Sequence, residues 1–373
     1  MSDFSAESIS DIAGRLRRAA AATAEQGLDA LFVSPGTDLR YLTGYEAKPL
    51  ERLTCLVVPT AGDPFIVVPL LEEPAALASP IRQLGLEVLT WTETENPYEM
   101  TAVKLATVSS VAFDDHMWAE KVFAFAAAMP GVRQVAAGSI LQDLRMRKTA
   151  SEIEGLRRAG AAIDAVHANM GLWLKPGRTE AQVARDITDA IVAAGHKKMD
   201  FVIVASGANG ASPHHDSSSK VIAVGEPVVV DIGGTMPDGY CSDCTRMYCV
   251  GEPPADFLEY YSVLHTAQQQ ATAAVRPGAT CESIDTAARQ VLADAGWGDY
   301  FIHRVGHGIG LDTHEHPYMV AGNTLPLEAG MAFSIEPGVY LPGRHGARIE
   351  DIVVCTHDGA DVMNLGTREL VIL

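Results

Sequence analysis

The sequence predicts an α/β (α+β) protein of two domains: a small α/β domain over residues 1–140, then a larger domain over residues 141–373 built from two related halves about a pseudo-twofold axis. Three observations predict this. A chain of 373 residues exceeds what one hydrophobic core ordinarily organises, roughly 250–300 residues. Strand-like runs and a helix-period segment share the first third of the chain. The remainder repeats itself: Lys175-Pro176-Gly177-Arg178-Thr179 returns as Arg276-Pro277-Gly278-Ala279-Thr280 at an offset of 101, and each copy follows one helix, opens another and closes at a glycine, Gly195 or Gly296.

Taken in order, a helix-period segment from Ile9 to Gln26 closes at Gly27. Strand-like runs follow at Ala30 to Val33, Thr54 to Pro59, Phe65 to Val68, Glu87 to Trp91 and Val108 to Phe113, with turn signals at Ser34-Pro35-Gly36 and Ala61-Gly62-Asp63-Pro64. Asp114-Asp115-His116 reads as a solvated loop, because adjacent residues at a strand end point in different directions. Ile140 to Lys148 reads as a connector between the domains, leading into a long helix from Ala150 to Leu174. In the repeat, Thr179 with Gln182 forms a capping box, and Thr280 is the matching cap.

The centre of the larger domain is the stretch Val228 to Arg246, VVVDIGGTMPDGYCSDCTR. β-Branched residues lead into Asp231, a Gly233-Gly234 break and a Pro237-Asp238-Gly239 turn follow, and a second run returns Asp243 beside the first, as a hairpin would. The bland reading is a turn with two solvated aspartates. An unpaired buried carboxylate is costly, however, and a cation answers both acids at once. The second half offers its own pair, Glu336 in Ile335-Glu336-Pro337-Gly338 and Glu350 in Arg348-Ile349-Glu350. Crowded carboxylates raise each other's pKa, and divalent cations remove the conflict. Oxygen ligands with one imidazole suit manganese, cobalt, zinc or iron, and a pair of such ions is a hydrolytic device. The imidazole is sought in His303-Arg304-Val305-Gly306-His307-Gly308, where glycines on either side of His307 let the backbone approach a crowded centre.

Bulk composition excludes other classes. Hydrophobic residues at 47% and charged residues at 20% mark an ordinary globular chain. A net charge of −19 gives no electrostatic footprint for nucleic acid or an anionic membrane surface. No apolar run approaches the ~18 residues of a membrane span. Six thinly spread cysteines and an opening MSDFSAESIS without a basic, then apolar, leader predict a reduced, cytoplasmic protein. Cys241-Ser242-Asp243-Cys244 has CxxC spacing but no second pair, so it reads as two small buried thiols beside an acid. His314-Glu315-His316 lacks the HExxH spacing, and no GxSxG elbow occurs.

In that order, VVVDIGG, SDCTR, GHGIGLDTHE, SIEPGVY and ARIEDIVV resemble the metal-binding motifs of the "pita-bread" metallopeptidases, which include prolidase, Xaa-Pro aminopeptidase and methionine aminopeptidase. The motifs cover most of residues 150–373, and the leading domain resembles that of the proline-specific branch. The resemblance implies metal ligands Asp231, Asp243, His307, Glu336 and Glu350 holding two divalent ions, manganese or cobalt foremost, with zinc or iron as alternatives. It implies that a hydroxide bridging the ions attacks an Xaa-Pro bond while Glu336 handles protons and His314 helps to stabilise the tetrahedral intermediate. His214, in SGANGASPH, matches a substrate-facing histidine, and His303 resembles another. Arg348, two residues before Glu350, is placed to orient the ligand acids or contact substrate.

One departure stands out. Several prolidases carry an arginine after the HE-proline segment, which could hold a dipeptide's carboxylate; this chain has Tyr318 there, leaving His316 or Arg348 as substitutes. The expectation is a prolidase-like dipeptidase acting on small peptides with proline second, working as a homodimer. An Xaa-Pro aminopeptidase taking longer peptides is the alternative. A non-enzymatic pita-bread binding protein and a creatinase-like amidinohydrolase are further rivals, though neither would be expected to keep all five ligands.

Overall fold

A computed structural model describes residues 9–105 and 107–373; the first eight residues of the opening stretch read above lie outside it. The chain divides into two compact units between Arg145 and Met146.

The first unit carries strands β1 (Ala30–Val33), β2 (Cys55–Pro59), β3 (Phe65–Pro69), β4 (Glu87–Trp91), β5 (Ser110–Phe113) and β6 (Arg133–Ala136) in one sheet of order β4-β3-β2-β1-β5-β6. Its helices are α1 (Ile9–Glu25), α2 (Thr37–Thr43), α3 (Glu73–Ala78), α4 (Ile81–Leu84), α5 (Pro97–Leu105), α6 (Ala119–Ala128) and α7 (Gly138–Met146). Strands β1, β2, β3 and β5 are buried along their length, as apolar runs covered on both faces should be. Phe32, Phe113 and Phe125 meet in its core with ring centroids 4.9–5.5 Å apart.

The division falls within the connector read from Ile140 to Lys148, whose first part is the helix α7, with Ile140, Leu141 and Arg145 buried and the Arg145 guanidinium donating to Asp38 Oδ1 at 2.8 Å. One expectation fails here. Asp114 is buried rather than solvated: its oxygens accept the Ser34 N–H at 2.7 Å and the His116 N–H at 2.9 Å, so it organises the loops at the ends of β1 and β5.

The second unit begins with α8 (Ala150–His167), whose Thr149 cap and Glu152 form a capping box. This helix stops at His167, short of Leu174, and a 3₁₀ turn over Met170–Leu172 completes the segment. Then come α9 (Glu180–Ala193), β7 (Lys198–Ser206), β8 (Pro227–Thr235), β9 (Cys241–Cys249), α10 (Ala255–Ala274) and α11 (Cys281–Asp294). The strands β10 (Gly306–Gly308), β11 (Glu315–Met319), β12 (Ala332–Ile335), β13 (Gly338–Leu341), β14 (His345–Arg348), β15 (Asp351–Cys355), β16 (Ala360–Val362) and β17 (Val371–Ile372) finish the chain.

The repeat is physical. Thr179 caps α9 by accepting the Gln182 N–H, Thr280 caps α11 by accepting the Ser283 N–H, and Gly177 and Gly278 share φ 84° in the turns before them. Helix α9 buries Val183, Ile187 and Ile191, one residue per turn, against Val228, Val230 and Ile232 of β8. Helix α11 buries Cys281, Ile284, Ala288 and Leu292 in a core with Phe333, Ile335 and Val353. Each half thereby lays one helix on one sheet: β17-β9-β8-β7 for the first and β11-β10-β12-β15-β16 for the second.

The hairpin β8–β9 is antiparallel with Gly233 opposite Asp243 and Asp231 opposite Thr245. Gly233 and Gly234 do not break the strand, which runs on to Thr235. They are small because a Cβ on Gly233 would overlap the Phe201 ring, and one on Gly234 would come within 2.8 Å of the His196 ring and the Lys198 carbonyl. In the second half β12 pairs with β15 and β13 with β14, so Glu336 and Glu350 fall at the two points where one long hairpin passes from its five-stranded sheet into its free end.

Candidate metal centre

Alternation along the strands aims the first pair of acids. Val228, Val230 and Ile232 face α9, so Asp231 faces the other way; Asp243 and Thr245 lie on that same face of β9. The register makes Asp231 and Asp243 diagonal neighbours. Glu336 is held within the second half by its N–H to the Val305 carbonyl at 2.8 Å, and Glu350 by its N–H to the Thr245 carbonyl at 3.2 Å, which brings Glu350 onto a strand of the first half.

The result is convergence. Ligand atoms of Asp231, Asp243 and Glu350 lie within 4.8 Å of one another, as do those of His307, Glu336 and Glu350, and those of Asp243, His307 and His314. These overlapping triads unite all five sequence-predicted ligands and add His314, whose ring centroid is 3.9 Å from that of His307. His307 Nδ1 is 3.1 Å from the Gly308 carbonyl, which can only accept, so Nε2 is the nitrogen turned to Glu336 Oε1 at 3.2 Å and Asp243 Oδ2 at 3.6 Å. A Cβ on Gly306 would overlap the Ser334 carbonyl and one on Gly308 the His316 carbonyl, which is why His307 sits between glycines.

The electrostatics are those of a site built around cations. Burial, then the neighbouring acids, push the Asp243 and Glu350 carboxyls well above the usual carboxylate range. Burial also opposes the charge on Glu336, but His307, His303 and Arg348 outweigh it and hold that carboxyl below its usual range. Asp231 Oδ1 is buried with no hydrogen-bond partner, an orphaned oxygen that a hard cation would satisfy. Oxygen donors with an imidazole therefore fit divalent metal ions.

Around these acids stand residues of the same motifs to which the sequence reading gave no role. Thr245 Oγ1 donates to Glu350 Oε2 at 2.8 Å, Ser334 Oγ donates to Glu336 Oε1 at 3.0 Å, and Arg246 donates to the Glu350 carbonyl at 2.6 Å and to Asp351 Oδ1 at 2.7 Å. Thr245 was findable, since strand period places it on the face of Asp243. Tyr340 was not, because its role depends on contacts through space. Its hydroxyl is 2.7 Å from an Arg348 nitrogen and 3.0 Å from His303 Nε2. Arg348 in turn pairs with Asp231 Oδ2 and donates to Thr245 Oγ1 at 3.1 Å.

The remaining predicted residues stand beside the centre. His303 has both ring nitrogens engaged, with Tyr340 and with the Arg304 carbonyl at 2.7 Å. His314 is exposed; desolvation on its inner side, then the charges of His307 and Arg304, hold it to about 4. His214 is exposed on a loop that Arg348 touches through the Pro213 carbonyl at 3.4 Å. That loop is anchored by Glu180, the first residue of α9 and fully buried. The Glu180 carboxylate accepts from the Ser206 N–H at 2.7 Å, Asn209 Nδ2 at 3.0 Å, His215 Nε2 at 3.0 Å and Ser218 Oγ at 2.7 Å. In the second half Asp285 of α11 does the same for the His303 segment, accepting the Val305 N–H at 2.9 Å while Arg289 donates to the His303 carbonyl at 2.9 Å.

The six cysteines are all free and buried, and burial pushes the Cys241 thiol up to about 12. Among the described residues Asp38, Asp114 and His116 of the first unit also approach one another, but Asp38 and Asp114 are already bonded as described above. No helix among the described residues is long and apolar enough to cross a membrane.

Comparison with known proteins places this geometry. The sequence profile of metallopeptidase family M24 matches residues 154–357, and that of the creatinase/prolidase N-terminal domain matches residues 15–147. A probable dipeptidase PepE of Mycobacterium tuberculosis is 52% identical over 362 residues, covering 97% of this chain and 96% of the relative. An Xaa-Pro dipeptidase of Lactobacillus helveticus is 36% identical over 356 residues, covering 92% and 95%. The crystal structure of dipeptidase PepE from Mycobacterium ulcerans superposes with a TM-score of 0.95 at 52% identity, covering 98% of this chain and 99% of that one.

Proposed function

The chain belongs to metallopeptidase family M24, and on that premise we propose that it hydrolyses Xaa-Pro dipeptides with two divalent ions held by Asp231, Asp243, His307, Glu336 and Glu350. One observation carries the reading: acids from both halves and an imidazole share one centre in which a buried oxygen of Asp231 lacks any partner. Similarity to a relative named Xaa-Pro dipeptidase supports the substrate class.

Bound there, manganese or cobalt ions, with zinc or iron as alternatives, would supply Lewis acidity and lower the pKa of the attacking water. Glu336, its carboxyl held below the usual carboxylate range, takes the proton of that water. The same carboxyl then protonates the leaving prolyl nitrogen, which carries no hydrogen before cleavage. His314, neutral at physiological pH and open to the cleft beside His307, donates an N–H to the developing oxyanion. His214 and His303 face the substrate, and Arg348 holds Asp231 in place from behind. The homodimer and the reduced, cytoplasmic setting belong to this same reading, and six buried free thiols suit the latter.

The test is turnover of Ala-Pro and Ala-Pro-Ala by metal-reconstituted protein, alongside a Glu336→Gln variant. Ala-Pro is the better substrate, and the variant loses about 10²–10⁴-fold in kcat while keeping its fold. Preference for Ala-Pro-Ala would assign the aminopeptidase instead, and undiminished turnover by Glu336→Gln would remove the mechanism.

A further inference from the structure

An Xaa-Pro dipeptide differs from longer peptides in one chemical feature, a carboxylate on the proline beside the scissile nitrogen. A site that prefers the dipeptide must meet that charge with a cation whose donors are not already used.

The cations around the centre can be taken in turn. Arg348 is committed through all three nitrogens, to Thr245, Tyr340 and Asp231. Arg246 is committed to the Glu350 carbonyl and to Asp351. Lys148 pairs with Glu315 at 2.5 Å, both of them buried. Arg304 differs: among the described residues no hydrogen bond or ion pair engages its guanidinium, which lies over the Tyr318 ring with its carbon 4.2 Å from the centroid. Stacking orients a guanidinium while leaving its N–H donors free.

The seat of that ring matters. Tyr318 stands directly opposite His307 in the antiparallel pair β10–β11, and directly opposed residues project from the same face of a sheet. His316, two residues earlier, projects from that face too and packs its ring 4.6 Å from that of Tyr318. The half-buried Arg304 thus carries an unspent planar fork on the side of the sheet from which His307 enters the centre.

Building on the Xaa-Pro reading above, we propose that Arg304, seated on Tyr318, receives the C-terminal carboxylate of the dipeptide and is the residue that sets dipeptide over longer substrates. Tyr318 then serves as the platform, and the charge comes from the end of the neighbouring strand.

The experiment compares Ala-Pro with its C-terminal amide on metal-reconstituted wild type, Arg304→Met and Arg304→Lys. Arg304→Met raises KM for Ala-Pro about tenfold or more with kcat within about twofold, and leaves the amide's kcat/KM within about twofold. Arg304→Lys restores part of the Ala-Pro KM, because it keeps the charge and loses only the fork. Equal losses on both peptides, an unchanged Ala-Pro KM, or a wild type that takes the amide as readily as the acid would each overturn the assignment. Wild type that cleaves neither peptide would instead sink the Xaa-Pro reading, and this inference with it.

Discussion

Thr245 Oγ1 donates to Glu350 Oε2 at 2.8 Å, and through this bond a strand of the first half fixes a candidate ligand of the second. The same oxygen accepts from Arg348 at 3.1 Å, so one hydroxyl sets both the acid and the guanidinium behind the centre. Replacing it by valine keeps the shape and removes both bonds. Thr245→Val should weaken divalent-metal affinity by roughly 10–100-fold, read by calorimetric titration of metal into chelated protein, with a stability loss of only about 1–3 kcal/mol. Unchanged affinity would mean that Glu350 is oriented by its backbone alone.

Metal removal has a predictable sign. Asp243 and Glu350 carboxyls lie above their unfolded range because burial and neighbouring acids resist their charge. Relative to acid conditions, metal-free protein loses stability as pH rises through those raised values, since the unfolded chain sheds its protons first. Adding Mn²⁺ at ~100 times its Kd should restore about 2.7 kcal/mol, and the gain should be larger at pH 8 than at pH 5, about the range over which protons compete for the ligands. Differential scanning calorimetry with and without chelator measures it, and a midpoint indifferent to metal at both pH values would contradict the site.

Glu180 gives the opposite sign. Burial opposes its charge, but hydrogen bonds from Ser218, Ser206 and His215 prevail and bring its carboxyl down from 4.5 to about 2. Its stabilisation is therefore complete above the unfolded value and is lost as pH falls from 4.5 toward about 2. Glu180→Gln should lower stability at neutral pH by on the order of 3 kcal/mol, and the gap from wild type should narrow through that acid window. Urea unfolding at a series of pH values tests this; a constant gap would show that shape, not charge, holds the His214 loop.

What was legible in the sequence divides along a physical line. The β-branched run Val228 to Val230 leading into Asp231 announced both the buried strand and an acid in need of a partner, because an apolar run and its turn signals are local. The paired caps Thr179 and Thr280 exposed the repeat for the same reason. Gly233-Gly234 misled, since their smallness answers Phe201, His196 and Lys198, residues close in space on β7 and the loop before it, and not a turn. The helix α7 hid behind its charged residues, one of which, Arg145, is buried by a partner 107 positions away. Tyr340, Ser334 and Glu180 owe their importance to contacts of the same kind, which no window of sequence contains.

The six free thiols, one in the first unit and five in the second, all lie behind closed backbone. An alkylating reagent reaches them only when the surrounding structure opens, so the rate at which each is modified clocks the opening of its own neighbourhood. Cys55 keeps time for one unit and Cys241, Cys244, Cys249, Cys281 and Cys355 for the other. Mass spectrometry of the labelled peptides would then reveal, without any engineered probe, whether the two bodies breathe together or apart.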